Sequence, residues 1–474
     1  MRLYNPAVSG MDSQAMSLEI IVLAAGQGTR MRSKLPKVLH DLAGRPLLSH
    51  VLRSVRSLDP QRIHVVIGHA GSQVRAAFAD ARDITWVEQA QQLGTGHAVS
   101  QALPGVAADA TVLVAFGDVP LVKPDSLADC IAAARAGSLA VVTADMPDPT
   151  GLGRIIRGAD GRMMAIVEQR DANPEQRAIS EINSGIMAAP AQMLRELLGQ
   201  LGRSNEQGEF YLTDVIGLAV ARGHEVEGRK VACPDDVAGV NDRLELARLE
   251  RVFQRREAER LMAGGVTLRD PSRFDVRGEL SAGADCVIDI DVVFEGTVVL
   301  GENVRIGSSC VVKDARIGDG AVIHAHTVID GAIVSAGCEL GPFARLRPGT
   351  ELGEHVKIGN FVETKKTRLG PGTKSNHFAY LGDTTTGANC NIGAGTIMCN
   401  YDGFAKHETH LGSDVFIGSN STLVAPVEVG DGGYVAAGST VTMKVDAGEL
   451  AVGRARQRNI GGWIPPAKRT KPTQ

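Results

Sequence analysis

Four near-continuous runs of apolar residues lie in the first half of the chain. They predict parallel strands buried on both faces, because a strand covered on one face alternates apolar with polar residues. Segments with helical spacing lie between them, for example Pro46 to Leu58. This alternation predicts a Rossmann-like α/β domain with a mostly parallel sheet and ligands at the carboxyl ends of its strands. The runs are LEIIVLAA (18–25), IHVVIG (63–68), TVLVAFGD (111–118) and LAVVTAD (139–145).

A six-residue period replaces this pattern in the second half. Apolar residues recur at every sixth position, and glycine directly follows several of them. Such a hexapeptide period predicts a parallel β-helix, in which short strands stack coil upon coil. The frame breaks at NYDGFAKHETH (400–410), which predicts a projecting loop there. The periodic positions are Leu340, Leu346, Leu352 and Ile358, and then Leu411, Ile417, Leu423, Val429, Val435 and Val441.

A highly charged segment separates the two patterns. Its apolar residues Leu246, Leu249, Phe253 and Leu261 have near-helical spacing, which predicts a connecting helix. After Arg454 the chain is basic and contains proline, so an irregular tail is expected. The predicted divisions are a disordered extension (1–16), an α/β domain (17–240), a linker helix (241–264), a β-helix domain (265–454) and a basic C-terminal tail (455–474).

Composition narrows the classes of function. A net charge of −4 gives no global basic field, so nucleic acid is not an expected partner. No apolar run reaches the roughly 18 residues of a membrane-spanning helix. The seven cysteines stand singly without a CxxC pair. They fit reduced thiols in the cytoplasm better than a disulfide framework or a zinc site.

The glycine-rich stretch LAAGQGTRM (23–31) follows the first predicted strand. Its spacing, Gly26-x-Gly28-x-x-Met31, differs from the G-x-G-x-x-G pattern of dinucleotide-binding folds. A plain turn between strand and helix explains the glycines alone. Arg30 and Lys37 add fixed positive charge beside the turn, which favours a phosphate-binding site.

Asp118 follows the third apolar run at the expected carboxyl edge of the sheet. A carboxylate there is placed to bind Mg²⁺, which prefers oxygen ligands and bridges phosphates. A turn or helix-capping aspartate is the alternative. Between these elements QLGTGHA (92–98) forms a second glycine loop that could surround a base.

The β-helix contains one segment with unusually many polar residues, spread over RLRPG (345–349), FVETKK (361–366), KSNHFAYLGD (374–383), NIGAGT (391–396) and CNYDG (399–403). Most histidines in such coils are surface residues, and His324, His326, His355, His407 and His410 are interpreted so. His377 differs because Arg347, Lys365, Tyr380, Asn391 and Tyr401 recur near it if the coils stack in register. A histidine can accept a proton from an amine at neutral pH.

The motifs occur in a specific order: LAAGQGTRM with LPKVLH, QLGTGHA, GDVPL, GLGRI, EINSGI and GVNDRL. The ordered set resembles the sugar-1-phosphate nucleotidyltransferases, and in particular the family of bifunctional N-acetylglucosamine-1-phosphate uridyltransferases/glucosamine-1-phosphate N-acetyltransferases. The resemblance covers roughly residues 17–460. It implies a left-handed β-helix and a homotrimer whose acetyl-transfer site is shared between subunits.

For the α/β domain the resemblance implies uridylyl transfer from UTP to N-acetylglucosamine-1-phosphate. Arg30 and Lys37 would stabilise the transferring phosphates, and Asp118 and Asn241 would bind Mg²⁺. Phe116 stands where the family often has tyrosine and would contribute backbone and packing. The implied UTP and UDP-sugar contacts are Leu23, Ala24, Ala25, Gly26, Lys37, Gln89, Gly94, Thr95, Phe116, Gly117, Asp118, Gly153, Glu168, Asn183 and Asn241.

For the β-helix the resemblance implies acetyl transfer from acetyl-CoA to glucosamine-1-phosphate. His377 would be the general base, with Glu363 a candidate for orienting it. The acceptor sugar phosphate would contact Arg347, Lys365, Tyr380 and Asn391. Acetyl-CoA would contact Ala394, Asn400, Tyr401, Ser419, Ala437 and Arg454.

Two other functions are considered. A single-activity sugar-1-phosphate nucleotidyltransferase with a structural or regulatory β-helix predicts no clustered polar set around His377. A non-catalytic scaffold predicts loss of Arg30, Lys37 or Asp118. The chain contains all of these residues, so the bifunctional enzyme is preferred.

Overall fold

The computed structural model describes residues 17–68 and 70–466. The chain forms two compact units that divide between Phe253 and Gln254. The predicted extension over residues 1–16 and the last part of the predicted tail, residues 467–474, lie outside the described residues.

The first unit is built on a nine-stranded mixed sheet. A separate two-stranded ribbon pairs β2 with β3. The main path runs β11-β7-β10-β6-β1-β4-β5, and β8 and β9 pair beside β10. The strands are β1 (Leu18–Ala24), β2 (Asp41–Leu42), β3 (Arg45–Pro46), β4 (Arg62–Ile67), β5 (Ile84–Glu88), β6 (Thr111–Phe116), β7 (Leu139–Asp145), β8 (Arg154–Arg157), β9 (Met163–Val167), β10 (Glu181–Pro190) and β11 (Val226–Lys230).

All four predicted apolar runs are strands: β1, β4, β6 and β7. Strand β1 pairs in parallel with β4 and β6. The sheet departs from a purely parallel one at β10, which lies antiparallel between β6 and β7. The carboxyl ends of β1 and β6 therefore lie side by side, as expected for a ligand-binding edge.

Helices cover both faces of this sheet. Residues of α1 and α4 pack in one apolar cluster with β1 and β6, and residues of α3, α6 and α7 pack in another. Helix α1 confirms the helix predicted between Pro46 and Leu58, and α8 lies where the linker helix is predicted. The helices are α1 (Leu47–Arg56), α2 (Gly71–Ala77), α3 (Thr95–Ala102), α4 (Pro124–Arg135), α5 (Pro174–Arg177), α6 (Ala191–Leu198), α7 (Asp214–Ala221) and α8 (Arg243–Ala263).

The second unit is a parallel β-helix made of an eleven-stranded and a fifteen-stranded sheet. The eleven-stranded sheet contains β12 (Thr267–Leu268), β14 (Val287–Ile288), β16 (Arg305–Ile306), β19 (Val322–Ile323), β22 (Glu339–Leu340), β25 (Lys357–Asn360), β27 (Lys374–His377), β29 (Asn391–Ile392), β32 (Phe416–Ile417), β35 (Tyr434–Val435) and β37 (Leu450–Ala451). The fifteen-stranded sheet contains β13 (Phe274–Ala282), β15 (Val292–Leu300), β17 (Val311–Lys313), β18 (Arg316–Ile317), β20 (Val328–Asp330), β21 (Ala332–Val334), β23 (Arg345–Leu346), β24 (Thr350–Leu352), β26 (Glu363–Leu369), β28 (Tyr380–Thr386), β30 (Ile397–Cys399), β31 (Thr409–Leu411), β33 (Thr422–Val424), β34 (Val427–Val429) and β36 (Thr440–Val441).

The hexapeptide prediction is confirmed. Every periodic apolar residue from Leu340 to Ile358 and from Leu411 to Val441 is buried. Three six-residue steps complete one coil, so Leu411 pairs with Val429 on the next. Between the two periodic stretches the coils shorten to 17 residues, since Ile358 pairs with Ser375 and Ser375 with Ile392. This shortening shifts the six-residue frame in the middle of the β-helix.

The predicted projecting loop is also present. Ile392 pairs with Ile417, a separation of 25 residues, so this coil carries an insertion between β30 and β31. Phe404 in the insertion is 98% exposed. Among the described residues, no helix is long and apolar enough to cross a membrane.

Candidate active sites

A cavity of about 490 Å³ opens at the carboxyl ends of β1 and β6. Residues from the glycine-rich turn, the second glycine loop and the end of β6 line it together. Gln92 and Glu209 also line it, and the sequence analysis did not select them individually. Gln92 lies within the quoted QLGTGHA motif, but no pattern in the sequence marks Glu209. The predicted nucleotide contacts that line the cavity are Leu23, Ala24, Ala25, Gly26, Lys37, Gln89, Gly94, Thr95, Phe116 and Asp118.

The two glycines of the first turn have different roles. A Cβ at Gly26 would meet no atom within 4 Å, which leaves its backbone open to a ligand. Gly28 has φ +62°, and a Cβ there would lie 2.7 Å from Cβ of Lys37. Gly28 therefore permits both a left-handed turn and the close approach of Lys37.

A compact polar cluster lies at the rim of this cavity. The Lys37 ammonium donates to Oδ2 of Asp118 and, at 3.3 Å, to Oδ1 of Asn241. Arg30 Nη2 donates to the same Asn241 oxygen at 3.0 Å. The side chains of Lys37 and Asp118 are 13% and 17% exposed. Two cations and two oxygen ligands thus lie within direct contact of one another.

The backbone brings Asn241 to this cluster from far along the chain. Val240 N–H donates to the carbonyl of Asp118 at 2.8 Å. The Asp242 carboxylate accepts from Glu245 N–H at 2.9 Å, and Glu245 accepts from Asn241 N–H at 2.5 Å. These reciprocal bonds form a capping-box arrangement at the start of α8 and fix Asn241 beside Asp118.

The remaining predicted contacts of the first site form a second group. The N–H of Asn183 donates to the Gly153 carbonyl at 2.9 Å. A Cβ at Gly153 would lie 3.3 Å from Oε1 of Glu168, and burial raises the pKa of the Glu168 carboxyl. These three residues are near one another but are not among those lining the first cavity. Gly117 N–H donates to Leu23 O at 2.9 Å, which ties β6 to the first turn.

In the second unit a row of charged residues follows consecutive strands. Glu363 accepts from Arg347 Nη1 at 2.8 Å and lies 3.8 Å from Arg345 Nη1. Strand β26 pairs Glu363 with Tyr380 and Lys365 with Gly382 on β28. Arg347, Lys365 and Tyr380 are therefore brought together on stacked coils.

The expectation that Glu363 orients His377 is wrong in this structure. The carboxylate of Glu363 is engaged by arginine side chains on the neighbouring coil. Nδ1 of His377 instead lies 3.0 Å from Oδ1 of Asn360, its register partner on β25. Because a carboxamide oxygen only accepts, Nδ1 carries the hydrogen and Nε2 keeps the lone pair.

Asn360 was not selected from the sequence. Its signal is the 17-residue coil spacing, which places it directly beside His377 on the adjacent coil. His377 is exposed, so its Nε2 is open to a substrate.

Asn391 is not placed beside Lys365 and Tyr380 within one chain. It begins β29 in the eleven-stranded sheet and pairs with Lys374, whereas Lys365 and Tyr380 belong to the fifteen-stranded sheet. The coil turns between these two sheets directly after His377. A single chain therefore presents Asn391 on a different sheet from the other acceptor contacts.

The predicted acetyl-CoA contacts form a row that continues from His377. Extending the register of β27, β29, β32 and β35 places Ala394, Ser419 and Ala437 at the position of His377 on the following coils. Arg454 donates to the Ala437 carbonyl at 2.6 Å and so ends this row. Small side chains along the row leave room for an extended ligand.

The other two predicted acetyl-CoA contacts begin the inserted loop. Asn400 is buried and donates to Asp383 at 2.5 Å. Tyr401 is 60% exposed, and its hydroxyl donates to the carbonyl of Gly403 at 2.6 Å. The loop is closed by Asp402, whose pKa is lowered by the backbone N–H of Ala405 and by His407.

Comparisons with known proteins give three family matches and several long relatives. The family descriptions are the MobA-like NTP transferase domain (residues 20–204), the GMPPB C-terminal domain (276–373) and the bacterial transferase hexapeptide, six repeats (408–442). A relative named bifunctional protein GlmU from Pseudomonas entomophila (strain L48) is 55% identical over 96% of this chain and 99% of its own length.

Proteins with the same name in other bacteria are equally similar. The one from Marinobacter nauticus is 54% identical, over 95% of this chain and 99% of its own. The one from Azotobacter vinelandii is 55% identical, over 96% and 100% respectively. A solved structure of a putative glucose-1-phosphate thymidylyltransferase from Bacillus anthracis is 18% identical and covers 50% of this chain and 95% of its own, with a TM-score of 0.41. That score is too low to add to the fold assignment.

Proposed function

The chain belongs to the family of bifunctional GlmU proteins, and we propose that each of its two activities uses one of the two residue clusters described above. The protein is a bifunctional transferase. It transfers acetyl from acetyl-CoA to glucosamine-1-phosphate, and then uridylyl from UTP to N-acetylglucosamine-1-phosphate with release of pyrophosphate. A single activity with a merely structural β-helix does not describe it.

One observation carries the assignment of sites. Each unit holds its own cluster: cations and oxygen ligands at the sheet edge in the first, and an imidazole followed by a row of small residues in the second. We accordingly assign uridylyl transfer to residues 17–240 and acetyl transfer to residues 265–454.

Asp118 and Asn241 fit a Mg²⁺ site. The described part of the chain has no cluster of three or more His, Cys, Asp and Glu side chains that could hold a metal. Magnesium does not need one, because it keeps several waters and is commonly bound by one or two carboxylates and the substrate phosphates. When bound, Mg²⁺ would neutralise negative charge on the nucleotide phosphates.

The protein's own cations suit the uridylyl transfer. An oxygen of the sugar phosphate attacks the α-phosphorus of UTP in line, and the bond to pyrophosphate breaks. The protein must position two anions and stabilise the charge that develops between them. Arg30 and Lys37 supply two fixed positive charges, so no protein nucleophile is needed.

His377 suits proton transfer in the acetylation. The sugar amine attacks the thioester carbonyl, its proton passes to Nε2 of His377, and the CoA thiolate leaves. Asn360 holds the imidazole in the tautomer that can accept this proton. Arg347 and Lys365 supply charge for the sugar phosphate, and the row through Ala394 and Ser419 accommodates acetyl-CoA.

A coupled assay tests the proposed function of the whole chain. Wild-type protein is supplied with glucosamine-1-phosphate, acetyl-CoA, UTP and Mg²⁺, and free thiol and pyrophosphate are measured. Thiol release should require the amino sugar phosphate, and pyrophosphate release should lag behind it. Pyrophosphate release with glucosamine-1-phosphate before any acetylation would contradict the assigned order.

We also propose a homotrimer in the cytoplasm. All seven cysteines are free thiols, which supports a reducing compartment. The separation of Asn391 from Tyr380 supports a site completed by a second copy. A stacked row of exposed aromatic rings offers a contact surface: Phe343 stacks on His326 at 4.8 Å and on Phe361 at 5.5 Å between ring centroids, and Phe361 contacts Phe378 edge-on at 6.4 Å.

Phe361→Glu should dissociate the trimer, because it places a charge in the centre of this apolar row, where 56% of Phe361 is exposed in one chain. Light scattering after gel filtration should give a monomer mass. Acetyl transfer should fall by at least about tenfold, since a buried charge costs more than one hydrogen bond, while uridylyl transfer continues. Phe404→Glu, on the exposed inserted loop, is the control. A trimer retained by Phe361→Glu would exclude this surface.

A further inference from the structure

Gln89 is a buried residue that presents one end of its side chain to the nucleotide cavity. It is 4% exposed, and its backbone N–H donates to Ile67 O at 2.8 Å. Its side chain is among those lining the cavity. Which end of the carboxamide faces a ligand decides which base edge it can bind, because the oxygen accepts and the nitrogen donates.

The hydrogen-bond partners of Gln89 settle this orientation. Nε2 lies 3.1 Å from the Gly94 carbonyl, which can only accept, so this end is the NH₂ group. The same nitrogen lies 3.0 Å from Nδ1 of His97. With one hydrogen given to Gly94, the other is available to Nδ1, which accepts it as an unprotonated nitrogen. Among the described residues no donor bonds to Oε1 of Gln89, so the oxygen is the free end.

The imidazole of His97 is itself held in place. Its ring stacks on Phe210, with centroids 6.4 Å apart and an interplanar angle of 27°. Phe210 is anchored to the same glycine loop, since its N–H donates to Leu93 O and its carbonyl accepts from Gly96 N–H. The carboxamide of Gln101 lies 3.2 Å from Nε2 of His97. A half-turn of this exposed amide presents its oxygen to the Nε2 hydrogen.

We infer that His97 is a positioning residue for base selection: its Nδ1 fixes the Gln89 carboxamide with the oxygen towards the nucleotide. The inference rests on the proposed role of Gln89 in binding the base. A free acceptor at this point suits a pyrimidine with a ring imide N–H, as in uracil. Cytosine presents an unprotonated ring nitrogen at the same position and would place two acceptors against each other.

Two substitutions separate this role from simple packing. His97→Phe keeps a ring to stack on Phe210 but removes the acceptor. His97→Asn removes the ring but keeps an oxygen the same number of bonds from Cα as Nδ1. The readout is kcat/KM for UTP and for CTP, each with N-acetylglucosamine-1-phosphate, because a packing defect lowers both values together.

We expect His97→Phe to lower the UTP-to-CTP ratio by at least about tenfold, since one hydrogen bond to the discriminating group is lost. His97→Asn should keep the ratio within about threefold of wild type, a fraction of that effect. Acetyl transfer should be unchanged in both, which checks that each variant is folded.

Three outcomes would overturn the inference. The ratio could be unchanged in both variants, which would mean that Gly94 alone orients Gln89. It could fall only in His97→Asn, which would assign His97 to ring packing, or fall equally in both, which would deny the acceptor its role. A wild-type enzyme that shows no preference for UTP over CTP would instead contradict the proposed role of Gln89 itself.

Discussion

Replacing His377 by alanine should reduce acetyl transfer by about 10²- to 10⁴-fold, the usual contribution of a positioned general base. The amine of glucosamine-1-phosphate must lose a proton as it attacks the thioester, and Nε2 of His377 is the exposed acceptor. CoA release, followed with a thiol reagent, measures the loss. Pyrophosphate release from UTP and N-acetylglucosamine-1-phosphate should remain at the wild-type rate, because that chemistry uses residues of the other unit.

The variants Asn360→Ala and Glu363→Ala separate the two candidates for orienting His377. Asn360 contacts Nδ1 at 3.0 Å, so its loss should lower kcat for acetyl transfer. Glu363 contacts Arg347, so its loss should act mainly on KM for the sugar phosphate. His355→Ala, at another exposed β-helix histidine, is the control for His377→Ala. Equal loss of both activities in His377→Ala would contradict independent sites.

Asp118→Ala should lower uridylyl transfer by about 10²-fold or more, because it removes a ligand that stabilises developing charge in the reaction. It also leaves the ammonium of Lys37 without its carboxylate partner. UDP-N-acetylglucosamine formation measures the effect, and acetyl transfer should be retained. Asn241→Ala should raise the Mg²⁺ concentration needed for the half-maximal rate.

Asp109→Ala provides a matched control for Asp118→Ala. Asp109 is exposed and precedes β6 by two residues, whereas Asp118 follows the same strand by two. Loss of a carboxylate at the amino end of β6 should leave both activities unchanged. UDP-sugar formation that persists at the wild-type rate in Asp118→Ala would remove Asp118 from the metal site.

The strand pattern of the first unit was predictable only in part. Apolar runs mark β1, β4, β6 and β7 because central strands must bury both faces. Strand β10 carries Asn183, Ser184 and Gly185 near its middle, so its sequence does not form an apolar run. Its insertion antiparallel between β6 and β7 depends on pairing with residues far along the chain, which local periodicity does not encode.

The residues of the first site were predictable from motifs, but their contacts were not. The glycine turn, Lys37 and Asp118 each lie in a recognisable local pattern. The meeting of Lys37, Asp118 and Asn241 requires the bond between Val240 and Asp118 that closes the chain over more than a hundred residues. Likewise, the role of Gly28 appears only when Lys37 is seen against it.

By itself the sequence determined the α/β sheet, the β-helix and the inserted loop, because burial imposes a period that is written locally along the chain. The tertiary structure alone decided which side chains meet. It gave Asn360 rather than Glu363 to His377, and it placed Asn391 on a separate sheet from Tyr380. The physical reason is that such partners follow from coil length and strand register, and a change from 18 to 17 residues in one coil alters which residues lie side by side.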